Sequence, residues 1–222
     1  MIYENITSCR ICSSSDLKKI LDLKKQPSSN SLRKSLKFRE YKIPLKILYC
    51  KKCSTVQLSS TANPRYLFNH YVWVTETSKS AKEYSKLFCK RVLNKTKKNS
   101  FIVEIASNDG TFLGQFAKKN HKVLGIDPAQ NICDIANNND ISTECNFFGL
   151  DIAESIVKRE GKADIIFARN VIPHVANIND VLGGMSYSLK DNGIGVIEFH
   201  RADIILGELH YDSIYHEHLF YF

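Results

Sequence analysis

The sequence predicts an α/β protein: a Rossmann-like parallel sheet preceded by a small zinc-ribbon-like N-terminal module. Three observations carry the prediction. Residues 101–199 alternate apolar, strand-like runs with amphipathic helical ones. Two C-x-x-C pairs, Cys9 with Cys12 and Cys50 with Cys53, are separated by 37 residues. The first 60 residues are short and rich in lysine, too poor in core-forming positions to fold persuasively alone, so a metal would supply much of their stability.

Composition sets the outer bounds. A chain of 222 residues with 43% hydrophobic and 24% charged positions is globular and long enough for one sizeable core plus a smaller module. No apolar run approaches the ~18 residues of a membrane helix and no apolar signal core opens the chain, which predicts a cytoplasmic protein with no membrane partner. Seven cysteines in such a chain point to metal ligation or buried thiols rather than disulfides. The net charge of +8 is concentrated at the start, where residues 1–53 hold 13 Lys or Arg against 4 acids. That excess could meet nucleic acid, could meet a small anion such as a sugar nucleotide, or could serve solubility alone.

The N-terminal elements follow in order. Each C-x-x-C pair can present two thiolates to one ion, and four sulfurs close a tetrahedral shell, the mark of structural Zn2+. Between the pairs, QPSSNSLRKS has the composition of a loop, whereas YKIPLKILYC alternates and carries β-favouring residues into the second pair. The aromatic stretch YLFNHYVWVTETS could be packing or could line a ligand pocket. From Thr77 a helical period begins, with Ala81, Tyr84, Leu87, Phe88 and Val92 on one face and Thr77 or Ser78 as N-cap. The expected division is a zinc module over 1–76, a linking helix over 77–100 and a cofactor-binding domain over 101–222. Cys89, Cys133 and Cys145 show no metal spacing and are expected in the core.

In the second half, FIVEI reads as a buried strand, Asn108, Asp109 and Gly110 as a tight turn, and HKVLGIDPAQNICDIANNN as the next strand and helix. Further strands are expected in ADIIFARNV and GIGVIEF, separated by the helical NINDVLGGMSYSL and the turn KDNG. A dinucleotide fingerprint needs three glycines so that pyrophosphate can approach a helix N-terminus; here only Gly110 is present. Instead Glu104 closes the first strand and Asp127 the second. Carboxylates at both places suit S-adenosylmethionine, which has no phosphate but carries an ammonium, a sulfonium and a ribose. The alternative is that both acids are ordinary polar residues at strand ends.

EIASNDGTFL is similar to the first motif of class I methyltransferases, GIDPA to their second acidic motif and FARNVIPHV to their strand-four motif. Taken in order with the two C-x-x-C pairs and IYHEHLFYF, these motifs resemble the zinc-containing, S-adenosylmethionine-dependent sugar C-methyltransferases, which methylate a ring carbon of nucleoside-diphosphate keto-deoxysugars. The resemblance runs over nearly the whole chain. It implies a class I methyltransferase sheet, S-adenosylmethionine and structural zinc as cofactors, and a nucleoside-diphosphate sugar as substrate. The cofactor-binding residues it implies are Glu104, Ser107, Asn108, Gly110, Asp127 and Pro128, with Asn146 and Phe147 beside the adenine and Asn170 and Val171 at the methyl end. The chain departs from the family at Ala106, where glycine is usual, at Asn170 and Pro173, which replace His and Glu, and in ending before the family's further C-terminal domain.

Methylating carbon next to a ketone requires removing a proton to form an enolate, and a neutral histidine is a suitable base. The resemblance implies His218 in that role, Tyr215 and Glu217 orienting the sugar and stabilising the oxyanion, His216 as second candidate, and Tyr71 near the substrate. In an extended strand Tyr215 and Glu217 would share one face and the two histidines the other, so a loop is expected here. HEH could also ligate a metal with His200 or His210, or the histidines could pack in an aromatic cluster. The rival functions are a methyltransferase for another acceptor, a non-catalytic remnant, and a nucleic-acid-binding zinc module, the last disfavoured.

Overall fold

The computed structural model describes residues 2–30, 35, 37, 40–68, 71–94, 96 and 98–222. Residues 31–34 of the expected loop, and 69–70 of the aromatic stretch, lie outside the described residues. The chain forms two compact units: Met1–Leu67 with Ile172–Ile178 and Phe199–Phe222, and Phe68–Val171 with Asn179–Glu198.

In chain order the strands are β1 (Tyr3–Asn5), β2 (Leu17–Pro27), β3 (Lys42–Cys50), β4 (Val56–Leu58), β5 (Ser60–Ala62), β6 (Phe101–Ile105), β7 (Lys122–Asp127), β8 (Thr143–Cys145), β9 (Ala163–Arg169), β10 (Leu189–Glu198) and β11 (Phe220–Tyr221). The α-helices are α1 (Pro64–Phe68), α2 (Lys79–Leu93), α3 (Leu113–Ala117), α4 (Gln130–Asn138), α5 (Leu150–Glu160), α6 (Ile178–Ser188) and α7 (Ala202–Gly207). No helix among the described residues is long and apolar enough to cross a membrane.

The first unit is built on an antiparallel sheet in the order β11-β4-β3-β2, with β1 and β5 paired beside it. β3 follows from its alternation: Ile43, Leu45 and Ile47 are buried on one face, and the buried Cys50 ends the strand on the other face. β2, for which no strand was expected, takes in the first two residues of the expected loop, because Gln26 and Pro27 pair with Ile43 and Lys42. Proline is tolerated there because β2 is the edge strand. The last residues of the chain return to this unit, where Phe220 and Tyr221 pair with Gln57 and Val56.

The second unit is a five-stranded parallel sheet in the order β10-β9-β6-β7-β8. Every residue of β6 is buried, as expected for a central strand covered on both faces. Phe88, Phe112, Phe116 and Phe167 form an aromatic core, with ring centroids 5.1 Å apart between Phe88 and Phe167. α2 starts where expected: the Ser78 side chain caps it by accepting from the Ala81 N–H. Its buried stripe is shifted, however. Leu87 is 43% exposed while Ser85, Phe88, Cys89 and Val92 are buried, since a 3.6-residue period carries 85, 88, 89 and 92 to one side. The expected KDNG turn appears as a break in register between Leu189 and Ile194 within β10. The order of strands reverses between β6 and β9, and ligands in such sheets bind outside the carboxyl ends at that point.

Candidate metal, cofactor and proton-transfer sites

The four Sγ atoms of Cys9, Cys12, Cys50 and Cys53 lie within 4.8 Å of one another, and Cys9–Cys53 and Cys12–Cys50 are 3.6 Å apart. A tetrahedron of sulfurs about 2.3 Å from zinc has edges of about 3.8 Å, so this donor set fits the ion. Cys9 Sγ accepts from Gln57 Nε2 at 3.1 Å. Burial opposes ionisation of Cys53, but hydrogen bonds from the Thr55 hydroxyl and N–H bring its thiol down to about 6. Arg10 inside the first pair ties the site to the sheet by donating to Leu58 O and Thr61 Oγ1 at 2.6 and 2.8 Å.

In the second unit, the loop after β6 is shaped by left-handed residues: Ala106 at φ 53°, Asn108 at 51° and Gly110 at 76°. Gly110 has a further reason to be glycine, because a Cβ there would stand 2.7 Å from Ile141. The loop is bound to the end of β7. Asp127 accepts from the Asn108 N–H through Oδ2 and from the Ala129 N–H through Oδ1, each at 3.0 Å. Its main-chain oxygen accepts from the Asn146 N–H, so Asn108, Asp127 and Asn146 form one connected edge, with the Pro128 carbonyl facing Cys145 Sγ at 3.6 Å. Phe147 is exposed beside Asn146. At the end of β9, Asn170 is again left-handed at φ 51° and its N–H donates to Glu198 O; Val171 follows.

Three acids converge here. Burial raises Glu104 well above the usual carboxylate range, and the charges of Asp109 and Asp127 add to that effect while Arg169 opposes it. Burial also raises Asp127, against its two backbone donors. Glu104 Oε2, Ser107 Oγ and Arg169 Nε are buried without a hydrogen-bond partner. A carboxylate has about four lone-pair positions, so Asp127 retains acceptor capacity beyond its two donors. An excess of acids with unsatisfied polar atoms suits a cationic, phosphate-free ligand.

Residues 71–76 of the aromatic stretch are hydrogen-bonded to the loop after β6 and to α4. Tyr71 exchanges two hydrogen bonds with the Asn131 side chain, and Asn108 and Asp109 hold residues 73–76. Sequence reasoning passed over Asn131 and Asp109. Asn131 gave no signal beyond lying in a polar helix; Asp109 stood visible in the turn but was read as a turn residue alone.

In the first unit, residues 215–218 make a turn closed by the His218 N–H on Tyr215 O. That turn separates the four YHEH side chains. The His218 Nδ1–H donates to Ser213 O at 2.9 Å, which fixes the tautomer, and Nε2 accepts from the Tyr215 hydroxyl at 2.9 Å. Burial lowers His218, opposed by the Ser213 bond; burial and then the charge of Glu217 push Tyr215 up to about 12. His174 and His200 pack against the His218 ring at 4.8 and 5.5 Å. His216 points elsewhere: it is buried and donates from Nε2 to Ile43 O. Glu217 accepts from Asn30 Nδ2 at 2.6 Å while its Oε2 is buried and unpartnered. Among the described residues the only cluster with metal-ligand geometry is the four cysteines, so the HEH metal reading finds no support.

Residues 9–68 match a family described as a zinc binding domain, and residues 78–222 match one described as a methyltransferase domain. The chain is 28% identical over 226 residues to the C-methyltransferase NovU of Streptomyces niveus; the alignment covers all of this chain and 54% of that relative, so the chain spans about half its length. Among solved structures, the PH0226 protein of Pyrococcus horikoshii OT3 matches with a TM-score of 0.53 at 15% identity, over 67% of this chain and 68% of the other. A SAM dependent methyltransferase of Archaeoglobus fulgidus matches with a TM-score of 0.50 at 14% identity, over 60% and 61%. These two likenesses bear on the fold alone.

Proposed function

The chain belongs to the methyltransferase-domain family, behind a four-cysteine zinc module, and on that premise we propose that it methylates a ring carbon beside the ketone of a nucleoside-diphosphate keto-deoxysugar. The methyl donor is S-adenosylmethionine, which supplies an electrophilic methyl group on a sulfonium. The residues of the second unit fit it. Asp127 has lone pairs left for the ribose hydroxyls, Glu104 and Asp109 favour the positive charges, and the unpartnered Glu104 and Ser107 atoms await hydrogen-bonding groups. Asn108, Gly110 and Pro128 shape the loops around it, Asn146 and Phe147 flank the adenine, and Asn170 and Val171 face the methyl end.

One observation carries carbon, rather than oxygen or nitrogen, as the acceptor: His218 is held as the Nδ1–H tautomer with Nε2 free of hydrogen and bonded to Tyr215. An oxygen or nitrogen nucleophile has less need of such a base, whereas a carbon acid must lose its proton before it can attack. His218 Nε2 takes that proton once the Tyr215 hydroxyl, whose hydrogen bond fills the Nε2 lone pair here, turns to the substrate oxygen. Tyr215, kept protonated, donates to the enolate oxygen, and Glu217 and Tyr71 orient the sugar. His216, already committed to Ile43 O, anchors the turn to β3. The identity to a C-methyltransferase over the full chain supports the same reading.

The test follows deuterium from solvent into the sugar in the presence of S-adenosylhomocysteine. Wild type is expected to exchange the proton beside the ketone, and His218→Ala to do so about 10²-fold or more slowly, the usual contribution of a general base. Equal rates in the two proteins would remove His218 from the role. Methyl transfer without exchange at carbon would instead identify an oxygen or nitrogen acceptor.

A further inference from the structure

Residues 71–76 have little regular structure, only a 3-10 turn at Thr75–Thr77, yet their backbone is held by side chains. The Tyr71 N–H donates to Asn131 Oδ1 at 3.2 Å and Tyr71 O accepts from Asn131 Nδ2 at 2.9 Å. Trp73 O accepts from Asn108 Nδ2 at 3.1 Å; the Thr75 N–H and hydroxyl both donate to Asn108 Oδ1 at 2.9 Å; the Glu76 N–H donates to Asp109 Oδ2 at 2.6 Å. Six hydrogen bonds to three side chains thus replace the ladder an ordinary strand would have. Trp73 and Val72, in the middle, are 52% and 54% exposed, an unusual position for large apolar side chains on so firmly held a segment.

The three anchors share a keystone. Asn108 gives its main-chain N–H to one oxygen of Asp127, and the other oxygen holds Ala129, two residues before Asn131 at the start of α4. Any ligand that hydrogen-bonds Asp127 therefore acts on the two loops that carry all three anchors. We propose that residues 71–76 are a strap coupled to the methyl-donor site, and that Asn131 is a positioning residue that sets Tyr71 in response to donor binding. The proposal rests on the reading of Asp127 as a donor-binding acid. When the donor's ribose engages Asp127, the loops stiffen, the strap tightens, and Val72 and Trp73 lose exposure; Tyr71 is then placed for the acceptor, so the donor binds first.

Trp73 is the only tryptophan in the chain, so the full-length zinc-loaded protein carries its own reporter. S-adenosylhomocysteine is titrated by calorimetry and by tryptophan fluorescence, and amide exchange is followed in residues 71–76 and in β6. In wild type the emission should shift to the blue on binding, and the Tyr71, Thr75 and Glu76 amides should exchange about tenfold or more slowly. Asn131→Ala should bind the probe up to about tenfold more weakly, the reciprocal of the tenfold protection, keep β6 protected, lose protection at Tyr71 and lose most of the blue shift. Asn131→Asp, which retains the acceptor for the Tyr71 N–H, should recover protection there. If calorimetry shows no binding to wild type, the donor assignment fails. If wild type binds but emission and exchange in 71–76 do not change, or if Asn131→Ala responds as wild type does, the coupling is wrong while the donor assignment stands.

Discussion

Ala106, Asn108 and Asn170 hold left-handed backbone where β6 and β9 end, and their side chains bear that strain unequally. Asparagine visits this region readily, but alanine pays about 1–2 kcal/mol for it. Ala106→Gly relieves that cost and regains about 0.5–1 kcal/mol of unfolded-chain freedom as an opposing term, so a net stabilisation of about 0.5–1 kcal/mol is expected, visible as a rise of roughly 2–3 °C in Tm. Gly125 illustrates the reverse constraint: a Cβ there would stand 2.4 Å from Ser107 Oγ and 2.7 Å from Thr143 Oγ1. The histidines give a pH prediction. Burial lowers His218 below the ordinary value near 6.5, so its neutral form persists on the acid side of that value. Deuterium exchange into the sugar should stay flat from about pH 8 to 6.5 and fall only below it. His174 is pushed down to about 3, by burial first and then by His218 and His200. Its unfolded form takes a proton before the folded one, so stability is present above about 6.5 and lost as pH falls toward 3. Between pH 6.5 and 5, wild type should lose about 1–2 kcal/mol more than His174→Asn does in parallel denaturant titrations.

At the level of elements, the parallel strands and the zinc hairpin were legible because their signals are local. FIVEI is apolar but for Glu104 and lies buried throughout; YKIPLKILYC alternates and forms β3 from Lys42 onward; four cysteines in two pairs meet at one point. The YHEH stretch was legible as a loop from the conflict among its own side chains, and the turn at 215–218 joins Tyr215 to His218 across three residues. What could not be read was which side chain meets which backbone: Asn131 on Tyr71, Asn30 on Glu217 and His216 on Ile43 are contacts 60, 187 and 173 residues apart in sequence, with no periodicity to announce them. The stripe on α2 was missed at Leu87 for a related reason, since any apolar residue within a broad face fits the pattern until packing chooses. The zinc hairpin itself makes a test. Cys50 is fully buried at the end of β3, and Cys50→Ser removes a sulfur from the closed shell. The wild-type protein should contain one zinc per chain by atomic emission; the variant should contain far less and should lose the cooperative unfolding of the first unit, because structural zinc supplies on the order of 10 kcal/mol in small modules.

For the whole molecule, the consequential feature is that neither compact unit is continuous in sequence. The expected boundaries at 76 and 100 cut the chain into consecutive pieces, whereas the units take residues 172–178 and 199–222 together with the first 67. The tail explains the arrangement: Phe220 is 1% exposed and pairs with Gln57, the Leu58 N–H donates to Leu219 O, and Leu219 N–H donates to Pro173 O. The proposed base His218 therefore sits on a turn whose rigidity comes from the zinc-stapled sheet, while the proposed donor residues depend on the parallel sheet. Phe220→Ala separates the two dependences. Emptying a buried phenylalanine site costs about 3–5 kcal/mol, and that loss should fall on the first unit: zinc released faster to a chelator, a lower first transition in calorimetry, and slower deuterium exchange into the sugar. Affinity for S-adenosylhomocysteine should change by less than about threefold, because contacts of distant sites contribute nearly independently. An equal fall in zinc retention and donor affinity would mean that the chain unfolds as one cooperative body, and that the donor site, like the base, is held in place by the metal.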